Sequence, residues 1–167
     1  MTAPISDEDL FASLRDHLFT AVVGDVLDRL GHRRQFLPQA IRPLRENMRI
    51  VGRAMPVLEA DVFDDVSDLS RGPLGKMPFG LMLDALDDLK PGEIYVATGS
   101  SLNYALWGEL MSTRAKHLRA AGAILNGYVR DANGIEALNF PDLLQGTLRA
   151  RSRPSRKGNR LQVIHRD

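Results

Sequence analysis

The sequence predicts an α/β domain with some parallel strand pairing. After residue 79, aliphatic segments of strand length alternate with segments whose apolar residues recur at helical spacing. Turn residues punctuate that alternation, most clearly Lys90-Pro91-Gly92 before the strand-like run from Glu93 to Thr98. The 167 residues, 44% hydrophobic and 26% charged, suffice for one domain with a buried core. Residues 1–167 are therefore read as a single domain.

Taken in order, the chain opens with two helices within residues 6–31. Ser6 to Leu18 forms the first, with Ser6 as N-cap and Asp7, Glu8 and Asp9 at the positive end of the helix dipole. Thr20 caps the second. Val22, Val23, Val26, Leu27 and Leu30 share one of its faces, and Gly31 closes it in the left-handed conformation. Pro38 and Pro43 keep the next segment from continuing as regular structure, and Ile50 to Leu58 reads as a strand. Asp61 to Gly75 holds clustered acids and an Arg-Gly-Pro turn without a clear period. Phe79 to Leu89 is helical through Phe79, Met82, Leu83 and Leu86. Glu93 to Thr98 is a strand, and the next helix starts near Asn103 or at Gly108 and ends at Ala120. Gly122 to Leu125 is an apolar strand, and Asp131 to Leu138 is helical. No internal repeat is present.

Composition excludes several classes of function. A net charge of +1 gives no global argument for a nucleic-acid or membrane partner, and without cysteine there is no disulfide, thiolate nucleophile or sulfur-based zinc site. The start lacks the basic and apolar regions of a signal peptide, and no apolar run is long enough to span a bilayer. The expected location is the cytoplasm. A basic C-terminal segment, residues 149–167, carries Arg149, Arg151, Arg153, Arg156, Lys157 and Arg160 before a short strand from Leu161 to Ile164. It reads as a solvated loop rather than an RNA-binding patch, because no aromatic residues are interleaved for stacking.

The most informative stretch runs from Trp107-Gly108-Glu109-Leu110-Met111 to Gly127-Tyr128-Val129-Arg130-Asp131. A helix start offers free backbone N–H groups to an anion. An arginine adds a planar fork for carboxylate, and an adjacent aspartate can hold a hard divalent cation through oxygen. Gly127 and the aliphatic run before it place Arg130-Asp131 at a strand's C-terminal end, where α/β sheets bind ligands. Arg-Asp pairs are also common on surfaces, so the pair alone is weak. Rival constellations are weaker still. His17, His32, His117 and His165 lack metal-ligand spacing, and His117 reads as a surface residue. Asp61, Asp64, Asp65 and Asp68 fall at helical spacing but read as an acidic surface segment rather than a second metal site. Trp107 reads as core more readily than as a pocket wall. No serine-hydrolase elbow, P-loop or dinucleotide glycine fingerprint occurs.

Gly108-Glu109-Leu110, with twenty residues between Glu109 and Arg130-Asp131, resembles the signature shared by class II 4-hydroxy-4-methyl-2-oxoglutarate aldolases and the RraA-like proteins. Thr20 to Gly31, Val51-Gly52-Arg53-Ala54, Lys90-Pro91-Gly92 and Ala121-Gly122-Ala123 through Asn126-Gly127 are similar to the same family. The likeness covers about Leu18 to Gly146. It implies a three-layer β/β/α swivelling-domain fold, a homotrimer with sites between subunits, and Mg²⁺ or Mn²⁺ as cofactor. In the resemblance, Asp131 holds the metal, largely through water, and Arg130 contacts the keto oxygen of a 2-oxo acid. The backbone amides of Gly108, Glu109, Leu110 and Met111 receive its carboxylate, and Glu109 orients Arg130 or a metal-bound water. Cleaving the bond beside the carbonyl leaves pyruvate enolate, which a cation and a guanidinium stabilise electrostatically. Loss of CO₂ from oxaloacetate leaves the same enolate.

The sequence departs from the family pattern twice. Some RraA-like decarboxylases carry an acid three residues after the metal aspartate. Gly134 stands there, so Asp131 is expected to lack a carboxylate neighbour. Family members usually continue past the equivalent of Val163 with a Gly-rich strand pair, and this sequence lacks it. The expected function is a divalent-metal-dependent lyase acting on 2-oxo acids, combining 4-hydroxy-4-methyl-2-oxoglutarate aldolase and oxaloacetate decarboxylase activities. The rival is a non-catalytic RraA-like protein that binds and inhibits an RNA-processing endonuclease. No nucleotide-binding glycine motif supports a methyltransferase.

Overall fold

The computed structural model describes residues 5–62, 81–147 and 160–165. The chain divides into two compact units, residues 1–40 and 41–167. The first holds helices α1 (Asp7–His17) and α2 (Thr20–Arg29). Ser6 caps α1 as expected, its Oγ accepting the Asp9 amide at 3.2 Å. The cap of α2 falls one residue before the predicted Thr20: extended Phe19 precedes the helix and makes no side-chain capping bond. Gly31, at φ +89°, ends α2 as the sequence implied. Helix α1 buries no residue and α2 buries only Gly24, so Val26 and Leu30 on the apolar side of α2 stay exposed.

The second unit is built on one seven-stranded sheet: β1 (Arg42–Pro43), β2 (Arg53–Val62), β3 (Glu93–Thr98), β4 (Ala105–Trp107), β5 (Gly122–Val129), β6 (Asp142–Thr147) and β7 (Arg160–His165). Helices α3 (Leu81–Asp87), α4 (Glu109–His117) and α5 (Ala132–Leu138) connect its parallel strands. Strand order is β1-β6-β5-β3-β2-β7, with β4 beside β5. Strands β2, β3, β5 and β6 run parallel, and β1 and β7 add antiparallel edges. Strand β5 changes partner along its length. Its first half, Gly122 to Leu125, pairs with β3, and its end, Tyr128 and Val129, pairs with β4.

Period-2 alternation sends one set of strand residues to the helix-covered face. Met55 and Val57 of β2, Tyr95 and Ala97 of β3, Ala123, Leu125 and Val129 of β5, and Leu144 of β6 pack there with Ala85, Leu86, Met111, Ala115 and Ile135. Trp107 lies at the centre, its ring 4.9 Å from Tyr95 and 6.4 Å from Phe140. Among the described residues, no helix is long and apolar enough to cross a membrane.

The α/β class, the parallel pairing and the last strand agree with the sequence reading. Several boundaries are corrected. Of the two helix starts the sequence offered, Gly108 holds as the N-cap of α4 and Asn103 does not: residues 105–107 form a strand paired with β5, with Leu106 and Trp107 both buried. Strand β5 runs on past Leu125 to Val129. Strand β6 was not anticipated, since it opens on an acid and contains Gln145 and Gly146. Asp61 lies in β2, opposite Leu161, not on a helix face. Asp64, Asp65, Asp68 and the arginines at 149–156 lie outside the described residues.

Leu125 is fully buried in the strand that three others share. Leu125→Ala is expected to cost about 2–5 kcal/mol through lost burial and the cavity it leaves. Urea denaturation checks this, and a cost below about 1 kcal/mol would mean the site collapses freely or lies outside the core.

Candidate active site

The site forms where β5 ends. The Arg130 amide donates to the Trp107 carbonyl at 3.0 Å, which lays the residue just past β5 beside the entry to α4. Gly108 is the extended N-cap of α4 and offers no side chain to cap it. The first intrahelical bond runs from the Ser112 amide to the Gly108 carbonyl at 3.0 Å, so the amides of Glu109, Leu110 and Met111 have no acceptor within the helix. A Cβ on Gly108 would fall 3.1 Å from Arg130 Cγ, 3.2 Å from its Nε and 3.3 Å from Asp131 Oδ2. Glycine thus lets both side chains lie against the helix start.

Asp131 is left-handed (φ 57°, ψ 36°) and N-caps α5, with the Gly134 and Ile135 amides donating to its carbonyl at 2.9 and 3.1 Å. Aspartate is among the few non-glycine residues that tolerate this region. Strain of this kind concentrates at functional sites. Arg130 Nε lies 3.5 Å from Asp131 Oδ2, and the two side chains are 67% and 53% exposed. Such a pair adds little stability and leaves both charges accessible.

Glu109 reaches the same turn from the other helix: a Cβ on Gly134 would overlap its carboxylate. Asp131 therefore does not stand without an acidic neighbour on its turn. The structure gathers Gly108, Glu109, Arg130, Asp131 and Gly134. Leu110 contributes a free amide and an exposed side chain, whereas the Met111 side chain packs in the core. Trp107 is core as expected, and His117 is exposed. No group of three His, Cys, Asp or Glu residues that could hold a metal exists among the described residues. The donors present, the carboxylates of Asp131 and Glu109, suit a hard cation such as Mg²⁺, which keeps several waters and takes only one or two protein carboxylates.

Sequence reasoning missed the buried polar residues beneath this site. Trp107 Nε1 donates to Ser112 Oγ at 2.6 Å, and the Ser112 hydroxyl donates to Asp142 Oδ2 at 3.4 Å. This chain of bonds ties the residue before Gly108 to the second turn of α4 and to β6. Asp142 is fully buried, its Oδ1 has no partner, and burial pushes its carboxyl up to about 7. Glu59 is likewise buried in β2. It accepts the Tyr95 hydroxyl at 3.4 Å on Oε1, leaves Oε2 unpartnered, and is pushed up to about 7 by burial. Burial, and then the Glu59 charge, raise the Tyr95 phenol as well. An acid within a strand is the only signal the sequence carried.

Fold and site together define an α/β protein that presents an open helix start, an Arg-Asp pair and a second acid at the C-terminal edge of a parallel strand. The chain belongs to the RraA-like family: the description Aldolase/RraA matches residues 3–164. A Halalkalibacterium halodurans protein named "Putative 4-hydroxy-4-methyl-2-oxoglutarate aldolase" is 30% identical over 141 residues, covering 84% of this chain and 58% of that protein. This chain thus spans little more than half the length of that relative. A crystal structure described as novel cellulases from microbes associated with the gut ecosystem superposes at TM-score 0.78 with 25% identity, over 99% of this chain and 68% of that one. Streptomyces coelicolor RraAS2, described as an unusual member of the RNase ES inhibitor RraA protein family, shares the fold at TM-score 0.72 and 20% identity, over 99% of this chain and 74% of that one.

The buried network ties stability to pH. Glu59 and Asp142 rise from 4.5 and 3.8 to about 7, so the folded state binds more protons than the unfolded chain in between. The stability they contribute is full below the ordinary carboxylate range and is lost as pH rises through about 7. Urea melts should show lower stability at pH 8 than at pH 5, by on the order of 2–3 kcal/mol per carboxyl. Glu59→Gln or Asp142→Asn should flatten that dependence, and a stability that rises over this range would refute it. Ser112→Ala should cost about 1–3 kcal/mol by stranding the Trp107 N–H and the Asp142 carboxyl, readable in the same melts.

Proposed function

We propose that this protein is a divalent-metal-dependent lyase acting on 2-oxo acids, with 4-hydroxy-4-methyl-2-oxoglutarate aldolase and oxaloacetate decarboxylase activities. One observation carries the reading. The bare Gly108 helix start, Arg130 and Asp131 converge within van der Waals reach of one another, joining an anion site, a guanidinium and a hard-cation ligand. The names of aldolase relatives support it.

The amides of Glu109, Leu110 and Met111 bind the substrate carboxylate at the positive end of α4. Arg130 directs its guanidinium at the keto oxygen. That oxygen gains negative charge as the adjacent carbon–carbon bond breaks, so the arginine stabilises the transition state more than the ground state. Asp131 holds Mg²⁺ or Mn²⁺, assisted by Glu109, and the bound cation supplies Lewis-acid polarisation of the 2-oxo acid. Either pyruvate, as the second product, or CO₂ leaves, according to the substrate. A homotrimer in the cytoplasm, with the site completed between subunits, belongs to the same proposal, as does the absence of a nucleic-acid or membrane partner.

Pyruvate release from 4-hydroxy-4-methyl-2-oxoglutarate and from oxaloacetate tests this, measured with Mg²⁺ or Mn²⁺ against EDTA and against metal alone. Release above the metal-only control, abolished by EDTA, is expected. Asp131→Ala should remove it, and Arg130→Ala should lower kcat by about 10²–10³ through the lost electrostatic donor. No excess from folded protein would sink the lyase reading. Binding and inhibition of an RNA-degrading endonuclease would then be the reading to pursue.

A further inference from the structure

The polar chain beneath the site ends on an acid that takes no part in the reaction proposed above. Asp142 opens β6, is fully buried and keeps Oδ1 without a partner. Its Oδ2 accepts the Ser112 hydroxyl. Ser112 is fully buried as well and stands one turn into α4, where it makes two further bonds. Its amide donates to the Gly108 carbonyl and closes the first turn of the helix, and its Oγ accepts the Trp107 N–H. Trp107 in turn accepts the Arg130 amide on its carbonyl. One carboxyl is thus linked, through a single hydroxyl, to the residues that fix the open amides of α4 and the backbone of Arg130.

The charged side chains on the described elements around Asp142 all face water: Arg42 of β1, Arg45 after it, Glu109, Arg114, Lys116 and His117 of α4, and Glu136 of α5. Strands β4 and β5 carry none. Burial raises the Asp142 carboxyl to about 7, and the Ser112 bond pulls it the other way. An ionised Asp142 is a second anion set one turn inside the helix whose positive end receives the ligand. We propose that Asp142 is a positioning residue for the anion site: neutral, it steadies the Trp107–Ser112 link and leaves the start of α4 to a substrate carboxylate, and ionised, it opposes that carboxylate. This rests on the reading above for the ligand, a 2-oxo acid. Substrate affinity then falls as pH rises through neutrality.

The test measures pyruvate affinity by calorimetry with Mg²⁺ in excess, between about pH 5 and pH 8, where pyruvate itself stays a carboxylate. Circular dichroism confirms that each sample is folded at each pH, and pyruvate release is assayed alongside. The wild-type Kd should rise about tenfold across this range, the effect of one unit charge about 10 Å away at an effective dielectric of about 20. Asp142→Asn, neutral throughout and nearly the same shape, should keep the acid-side affinity at every pH. Ser112→Ala, without the bond that favours the ionised acid, should move the fall to higher pH. Glu59→Gln removes the other buried acid, which bonds to Tyr95 rather than to Ser112, and should keep the wild-type profile. A merely structural role lowers stability in these variants and leaves the pH profile of binding unchanged.

A flat wild-type profile, an Asp142→Asn profile that falls as the wild type does, or a Glu59→Gln profile that is flat would overturn the proposal. Where Asp142→Asn does not fold, an unshifted Ser112→Ala profile overturns it instead. No pyruvate binding at any pH would overturn it together with the lyase reading. The expected profiles without pyruvate release from either substrate would leave the role of Asp142 standing and remove the lyase. Metal-dependent release with a flat affinity profile would do the reverse.

Discussion

The bond from the Arg130 amide to the Trp107 carbonyl joins the two halves of the site, and the rest of the arrangement depends on it. Trp107 ends β4 and Arg130 directly follows the end of β5, and each leads at once through a turn into a helix. Fixing these strand ends side by side fixes where α4 and α5 begin. The open amides of one helix therefore face the acid that caps the other. The partner change along β5 makes this possible. Its first half is committed to β3, which leaves its end free to pair with the three-residue β4.

The anchoring of that bond lies in the core. Trp107 packs its ring between Tyr95 and Phe140 and passes its N–H to Ser112, which faces Asp142 on β6. A tryptophan buried among apolar residues resists displacement, and its one donor is satisfied at 2.6 Å. The unpartnered oxygens of Asp142 and Glu59 are the cost of running polar groups through this core. Protonation is the means of reducing that cost, since a neutral carboxyl is far cheaper to bury than a carboxylate.

Strand and helix types were legible wherever apolar periodicity was strong, as in β3, β5 and the helix from residue 81. The site was legible for a different reason. Gly108, Glu109, Arg130 and Asp131 are chemistry-bearing residues at element ends, and ends are where turn chemistry marks the sequence. The hidden features were those that depend on tertiary contact. Leu106 and Trp107 suit helix or strand equally, and only burial against β5 decides. Strand β6 opens on Asp142, whose burial no local pattern implies. Gly134 reads in sequence as a missing acid because its neighbour across the turn is distant along the chain, and Glu109 fills that space from a different helix.

Exposed and buried acids are put to opposite uses in this fold. Glu59 and Asp142, shielded from water, hold protons near neutrality and brace the sheet. Asp131 faces solvent beside Arg130 at 3.5 Å. An exposed pair of this kind contributes about 0–1 kcal/mol, so an arriving ligand can separate it at little cost. A buried pair would resist, because parting it strands a charge away from water. A weak pair at the mouth of a rigid helix start therefore combines fixed backbone donors with side chains free to turn from each other toward a ligand. That combination places unsatisfied backbone donors and an exposed carboxylate side by side at one strand end.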